Sequence, residues 1–105
     1  MKRILKYEIA ISDDVQEIEI PLGADILKYG CQPSNSVGGF ETLVVWVMTY
    51  TEMKETEKMK VRIVGTGHEF DFAYPFKHGL NYRDTIQMPS GLVWHIFCEF
   101  SSVRK

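Results

Sequence analysis

Apolar and polar positions alternate with period two along most of the chain. Leu5, Tyr7, Ile9 and Ile11 are apolar and Lys6 and Glu8 between them are charged, which predicts a half-buried strand. Ser12-Asp13-Asp14 carries turn chemistry. Ile18 and Ile20 then alternate with Glu17 and Glu19 up to Pro21, and this second strand is expected to form a hairpin with the first. After a turn at Leu22-Gly23-Ala24-Asp25, Ile26 to Cys31 reads as a third strand, interrupted at Gly30. Phe40 to Thr51 is dense in Val, Trp, Tyr and Thr, and from Leu43 to Met48 every position is apolar. Such a strand is expected to be central and covered on both faces.

The charged stretch Glu52 to Lys58 reads as a wide hairpin loop, because strand character resumes at once. Met59, Val61 and Ile63 alternate with Lys58, Lys60 and Arg62. Tyr82 to Met88 forms a further strand, and Leu92, Trp94, Ile96, Cys98 and Phe100 share one face of the last. Turn signals recur between these runs and no helical period is seen. The expected fold is all-β: a compact β-sandwich or partly open β-barrel of about seven antiparallel strands. One domain spans residues 1–105, with no internal repeat or second composition regime. The core is expected to contain Leu5, Tyr7, Ile9, Ile18, Ile20, Val45, Val47, Val61, Ile63, Ile86, Trp94 and Ile96. Two segments stand outside the strand pattern. Gln32 to Gly39 is a loop rich in small residues, and Phe70 to Leu80 is an edge strand or packed loop rich in aromatics.

Composition narrows the class. With 45% hydrophobic and 25% charged residues the chain has globular proportions. A net charge of -2 does not mark a general nucleic-acid binder or a protein of anionic membranes. The longest apolar run is far below the roughly 20 residues of a membrane helix, and the basic Met1-Lys2-Arg3 is followed by Lys6 and Glu8 rather than a signal-peptide core. The expectation is therefore an intracellular, soluble protein. Cys31 and Cys98 are expected to be reduced, buried thiols. The spacing of these two cysteines and the three histidines matches no metal site, so no metal and no cofactor is expected.

The most distinctive string is Gly65-Thr66-Gly67-His68. Two glycines can bring backbone N–H groups close to an anion, and His68 can donate to a phosphate or act as a base. The same string also makes a tight turn that needs a positive φ. It lacks the further glycines, the lysine and the following helix of dinucleotide and phosphate loops. Tyr74, Phe76, Lys77 and His78 combine aromatic faces with cations, which suits base stacking, a protein partner or packing on the domain itself. His95 shares a strand face with Val93, Phe97 and Glu99 and would need a partner such as His68 for catalysis; otherwise it is a half-buried histidine bonded to backbone. Lys54, Lys58, Lys60 and Arg62 interleave with Glu52, Glu55 and Glu57 and read as a solvated face.

Four segments together carry a family likeness: Lys2-Arg3-Ile4 with Lys6-Tyr7-Glu8, Ile20-Pro21-Leu22-Gly23-Ala24 with Ile26-Leu27, Gly65-Thr66-Gly67-His68, and Gly91 to Phe97. Their order and spacing resembles a family of small bacteriophage and prophage proteins, a domain of unknown function. The resemblance runs from Lys2 to about Glu99 and implies a phage origin and a β-rich fold, but no catalytic residues. The resulting expectation is a small non-enzymatic phage protein that binds a host or phage protein, for instance to inhibit or sequester a component of a host defence system. Its contact surface would be Gly65, Thr66, Gly67 and His68 with Tyr74, Phe76, Lys77 and His78. Two alternatives are a binder of a small nucleotide-like ligand at the Gly65–His68 turn, and a small histidine-dependent enzyme. A homodimer through a sheet edge or an apolar face is a further expectation.

Overall fold

A computed structural model describes residues 1–33, 41–70 and 81–102. These residues form seven strands, β1 (Lys2–Ile9), β2 (Gln16–Pro21), β3 (Asp25–Pro33), β4 (Glu41–Tyr50), β5 (Thr56–Gly65), β6 (Asn81–Gln87) and β7 (Val93–Phe100). They make two antiparallel sheets, a three-stranded sheet of order β1-β4-β3 and a four-stranded sheet of order β2-β5-β7-β6. The sheets pack face to face as a sandwich and do not close into a barrel. β3 and β6 approach each other along one side of it.

Alternation along each strand sets the packing. In β1, Leu5, Tyr7 and Ile9 pair with Val47, Val45 and Leu43 of β4, so one face of the small sheet is apolar from Leu5 to Ile9. Met59, Val61 and Ile63 of β5 stand beside Phe100, Cys98 and Ile96 of β7. These two faces meet in a core of Ile9, Ile20, Tyr29, Leu43, Val45, Val47, Met59, Val61, Ile63, Ile86, Ile96 and Cys98. Leu5, Tyr7, Ile18 and Trp94 are partly buried at its margin. β4 is central in its sheet, and its outward Val44 is only 1% exposed.

Two local expectations are corrected. β1 and β2 do not form a hairpin: β1 pairs with β4 and β2 with β5. The charged stretch after β4 does not close a hairpin either, because β4 and β5 belong to different sheets. In both places the turn residues reverse the chain, and the reversal carries it across to the facing sheet, where both apolar faces are buried. Only β3–β4 and β6–β7 are sequential neighbours within a sheet. The β6–β7 loop is closed by Gly91 N–H to Met88 C=O at 2.9 Å and Met88 N–H to Leu92 C=O at 2.8 Å, the pattern of a tight turn ending in a bulge.

The cysteines are free, Cys98 buried and Cys31 partly so. Tyr29 Oη lies 3.0 Å from Cys98 Sγ across the core. Among the described residues no helix is long and apolar enough to cross a membrane.

Candidate functional site

The Gly65–His68 segment is a tight turn at the end of β5, closed by His68 N–H donating to Gly65 C=O at 3.1 Å. Gly67 has φ +87°, a conformation that side chains with a Cβ adopt only with strain. Gly65 serves a different need. A Cβ there would lie 2.9 Å from His68 Nδ1 and Cε1, so the imidazole rests on bare backbone. Both glycines thus have structural work in this turn.

Thr66 reaches the outer face of the four-stranded sheet. Its Oγ1 lies 2.8 Å from His95 Nε2, and the other ring nitrogen, Nδ1, lies 2.9 Å from Thr85 Oγ1. Tyr82 Oη is 2.6 Å from the same Thr85 hydroxyl. The strand register explains the convergence: Thr85 and Val64 are the two cross-strand neighbours of His95, and Thr66 follows Val64 by two positions. A chain of hydrogen bonds therefore runs Tyr82–Thr85–His95–Thr66 across β6, β7 and the β5 turn. His95 is bonded to side chains, not to backbone as expected, and its partners are neither His68 nor Glu99.

The same face carries an aromatic cluster. The rings of Tyr82 and Phe97 meet edge to face at 5.7 Å between centroids, and Phe70 lies 5.5 Å from Phe97. Tyr82 is 56% exposed and Phe70 40%. Tyr82 is nonetheless held at both ends, by Phe97 against its ring and Thr85 at its hydroxyl.

His68 belongs to a different feature. With Asp13, Arg62, Ile63, Val64 and Glu69 it lines a polar cleft of about 280 Å³. The cleft opens where β5 has run beyond the start of β2, whose last register pair is Gln16 with Val61. Arg62 Nε is buried there without a hydrogen-bond partner. Asp13 sits in a bend in which Ser12 Oγ accepts from Asp14 N–H at 3.1 Å, so serine rather than aspartate organises that turn. Among the described residues no group of His, Cys, Asp and Glu side chains could hold a metal ion.

Of the residues singled out in the sequence, Gly65, Thr66, Gly67 and His68 thus divide between two places, Thr66 on the outer sheet face and His68 on the cleft. Tyr74, Phe76, Lys77 and His78 lie outside the described residues. Sequence reasoning missed Tyr82, Thr85 and Phe97. The available signal was the outward parity of Phe97 with His95 on β7; the partners on β5 and β6 depend on register.

The basic run of β5 is neutralised by neighbouring strands. Lys58 and Lys60 pair in register with Glu19 and Glu17 of β2, and Lys58 Nζ lies 3.3 Å from Glu17 Oε2. Glu57, expected on the solvated face, instead points inward and is buried.

No curated protein and no solved structure matches the chain. Residues 1–104 match the family described as a domain of unknown function, DUF7352, and the chain belongs to that family.

Proposed function

We propose that this chain acts by binding a protein partner, without catalysis, on the outer face of its four-stranded sheet. The observation that carries this reading is Tyr82. It is more than half exposed yet fixed by a ring contact and a hydroxyl contact. An aromatic side chain already ordered in the free protein loses little entropy on docking and offers both an apolar face and a hydroxyl, the properties of interface anchors. Phe70 extends the apolar surface, and Thr66, Thr85 and His95 supply a polar border.

The finer reading is a phage-encoded protein that meets a component of a bacterial defence system in the host cytoplasm. It is supported by the likeness of the four segments to phage and prophage proteins. Capture from host lysate provides the test. The wild-type chain is expected to retain the same host protein repeatedly, and Tyr82→Ser to lose it, while Leu27→Ser on the other sheet keeps it. Retention by Tyr82→Ser, or no reproducible partner for the wild type, counts against the proposal.

A second reading, a pocket for a small nucleotide-like ligand, is favoured by the polar cleft at His68 and the unpartnered Arg62 Nε. The carboxylates of Asp13 and Glu69 on the same cleft oppose a phosphate, which places this reading second. Calorimetry with a panel of cyclic and linear nucleotides is expected to show no heat if the protein-binding reading holds; saturable binding abolished by Arg62→Gln would reverse the order. A histidine-dependent reaction has less support, since both nitrogens of His95 are engaged by hydroxyls.

A further inference from the structure

Among the described residues four strands border the two sheets, and three carry a feature that discourages pairing with another chain. β3 has a register shift between Ile26 and Lys28, and β6 has one between Tyr82 and Asp84. β2 is six residues long and ends at Pro21. β1 differs. Its register with β4 is unbroken over all eight residues, it contains no proline, and Lys2, Arg3, Ile4, Lys6 and Glu8 are exposed. Ile4 is 60% exposed, while Leu5 and Tyr7 are only partly covered by the core.

We infer that β1 pairs antiparallel with β1 of a second copy of this chain, with Leu5 opposite Leu5 at the two-fold axis, joining the small sheets of two molecules. This goes beyond the proposed partner surface, which lies on the other sheet. Charge and the length of strand aligned together select the register. A two-fold axis perpendicular to the sheet keeps core-facing residues on one side. It therefore allows only registers that pair even positions with even and odd with odd. With Leu5 at the axis, Lys2 faces Glu8 of the other copy, twice, and Arg3 faces Tyr7; Ile4 faces the aliphatic stem of Lys6. A shift by two positions in either direction places Lys2 against Lys6 or Lys6 against its own copy. Like charges directly opposite are destabilising and opposite charges favourable. The lysines of β1 thus act against indiscriminate edge pairing; a register with Tyr7 at the axis also sets Lys6 against Glu8, but it aligns residues 5–9 only, whereas Leu5 at the axis aligns residues 2–8.

Sedimentation equilibrium on the full chain, from about 10 to about 500 µM, tests the pairing in the affinity range of a small interface. The wild type is expected to populate a dimer. Glu8→Lys sets lysine against lysine at both ends and is expected to weaken it by at least about tenfold, and the swap Lys2→Glu with Glu8→Lys to restore it. Both positions are exposed, so the monomer fold is spared. Leu5→Cys adds an independent reading: cross-strand Cα atoms about 5 Å apart lie within disulfide range, so it is expected to cross-link on oxidation. Tyr7→Cys, whose two copies would stand about 13 Å apart along the strands, is not. A wild type that stays monomeric at the highest concentration overturns the inference. So does a dimer indifferent to Glu8→Lys, one not restored by the swap, or a Tyr7→Cys cross-link forming as readily as that of Leu5→Cys.

Discussion

Glu57 sits on the core face of β5, and donors from two segments converge on its carboxylate. Gly23 N–H bonds one oxygen at 2.7 Å, and Ser102 N–H and Oγ bond the other at 3.2 and 2.6 Å. The side chain thereby ties the β2–β3 turn and the segment after β7 to the start of β5. Glu57→Ala leaves three part-buried donors without this acceptor and is expected to cost about 1–3 kcal/mol, measured by chemical denaturation. Glu57→Gln keeps part of the acceptor geometry and is expected to cost less. At the β5 turn, Gly65→Ala forces a methyl group against the His68 ring, with an expected loss of about 1–2 kcal/mol. That loss shrinks in a His68→Ala background, and a double-mutant cycle measures the coupling. Burial, followed by the nearby carboxylate of Glu41, pushes the Cys31 thiol above its ordinary range. A thiol whose folded-state pKa is raised contributes stability that is complete below the unfolded value and is lost as pH rises through the folded one. Cys31 is therefore expected to alkylate several-fold more slowly than free cysteine near pH 8, yet before the fully buried Cys98. Mass mapping of a timed iodoacetamide reaction checks both the rate and the order. Most of this was not legible in the chain: Glu57 stands in a charged run that reads as loop, and only once β5 is seen to begin at Thr56 does its parity with Met59, Val61 and Ile63 turn it inward.

At the scale of elements, the strands were legible and their partners were not. The alternation in β1, β5 and β7 identified both the elements and their inward faces, because period two maps directly onto the two sides of a sheet. Turn composition says that a chain reverses, not where it lands, and so the hairpins expected for β1–β2 and β4–β5 are crossings between sheets. The Tyr82–Thr85–His95–Thr66 chain depends on those pairings, since it joins β6, β7 and the end of β5. Thr85→Val removes its middle hydroxyl and is expected to cost about 1 kcal/mol. The loss should be local: hydrogen exchange is expected to accelerate first in β6, an edge strand, while β5 keeps its protection. Uniform acceleration in all strands would show that the chain of hydroxyls does not anchor β6.

The whole molecule is one core shared by two sheets. Val45 and Val47 from the small sheet and Val61, Ile63 and Ile96 from the large one belong to a single cluster, so neither sheet buries its apolar face without the other. Trp46 lies on β4 and Trp94 on β7, one in each sheet. Variants that retain only one tryptophan are expected to report the same unfolding midpoint as each other and as circular dichroism. Separate midpoints would mean that the sheets unfold independently. Ile96→Ala, at the centre of this core, is expected to cost about 2–5 kcal/mol and to lower both fluorescence transitions together.

What the sequence determined by itself is the kind of molecule: strands with defined inward faces, a sheet core rather than a bundle, and a turn at residues 65–68 that needs glycine. Those features are local, set by side-chain parity and backbone sterics within a few residues. The tertiary structure decided which strands are neighbours, and through that choice the two places where chemistry gathers. It brought Thr66 and Thr85 to the two nitrogens of His95 and set His68 on a separate cleft. It turned Glu57 inward and left β1 as the long unbroken edge. Each of these depends on register between segments remote in sequence, and register is selected by burying the apolar faces of both sheets at once.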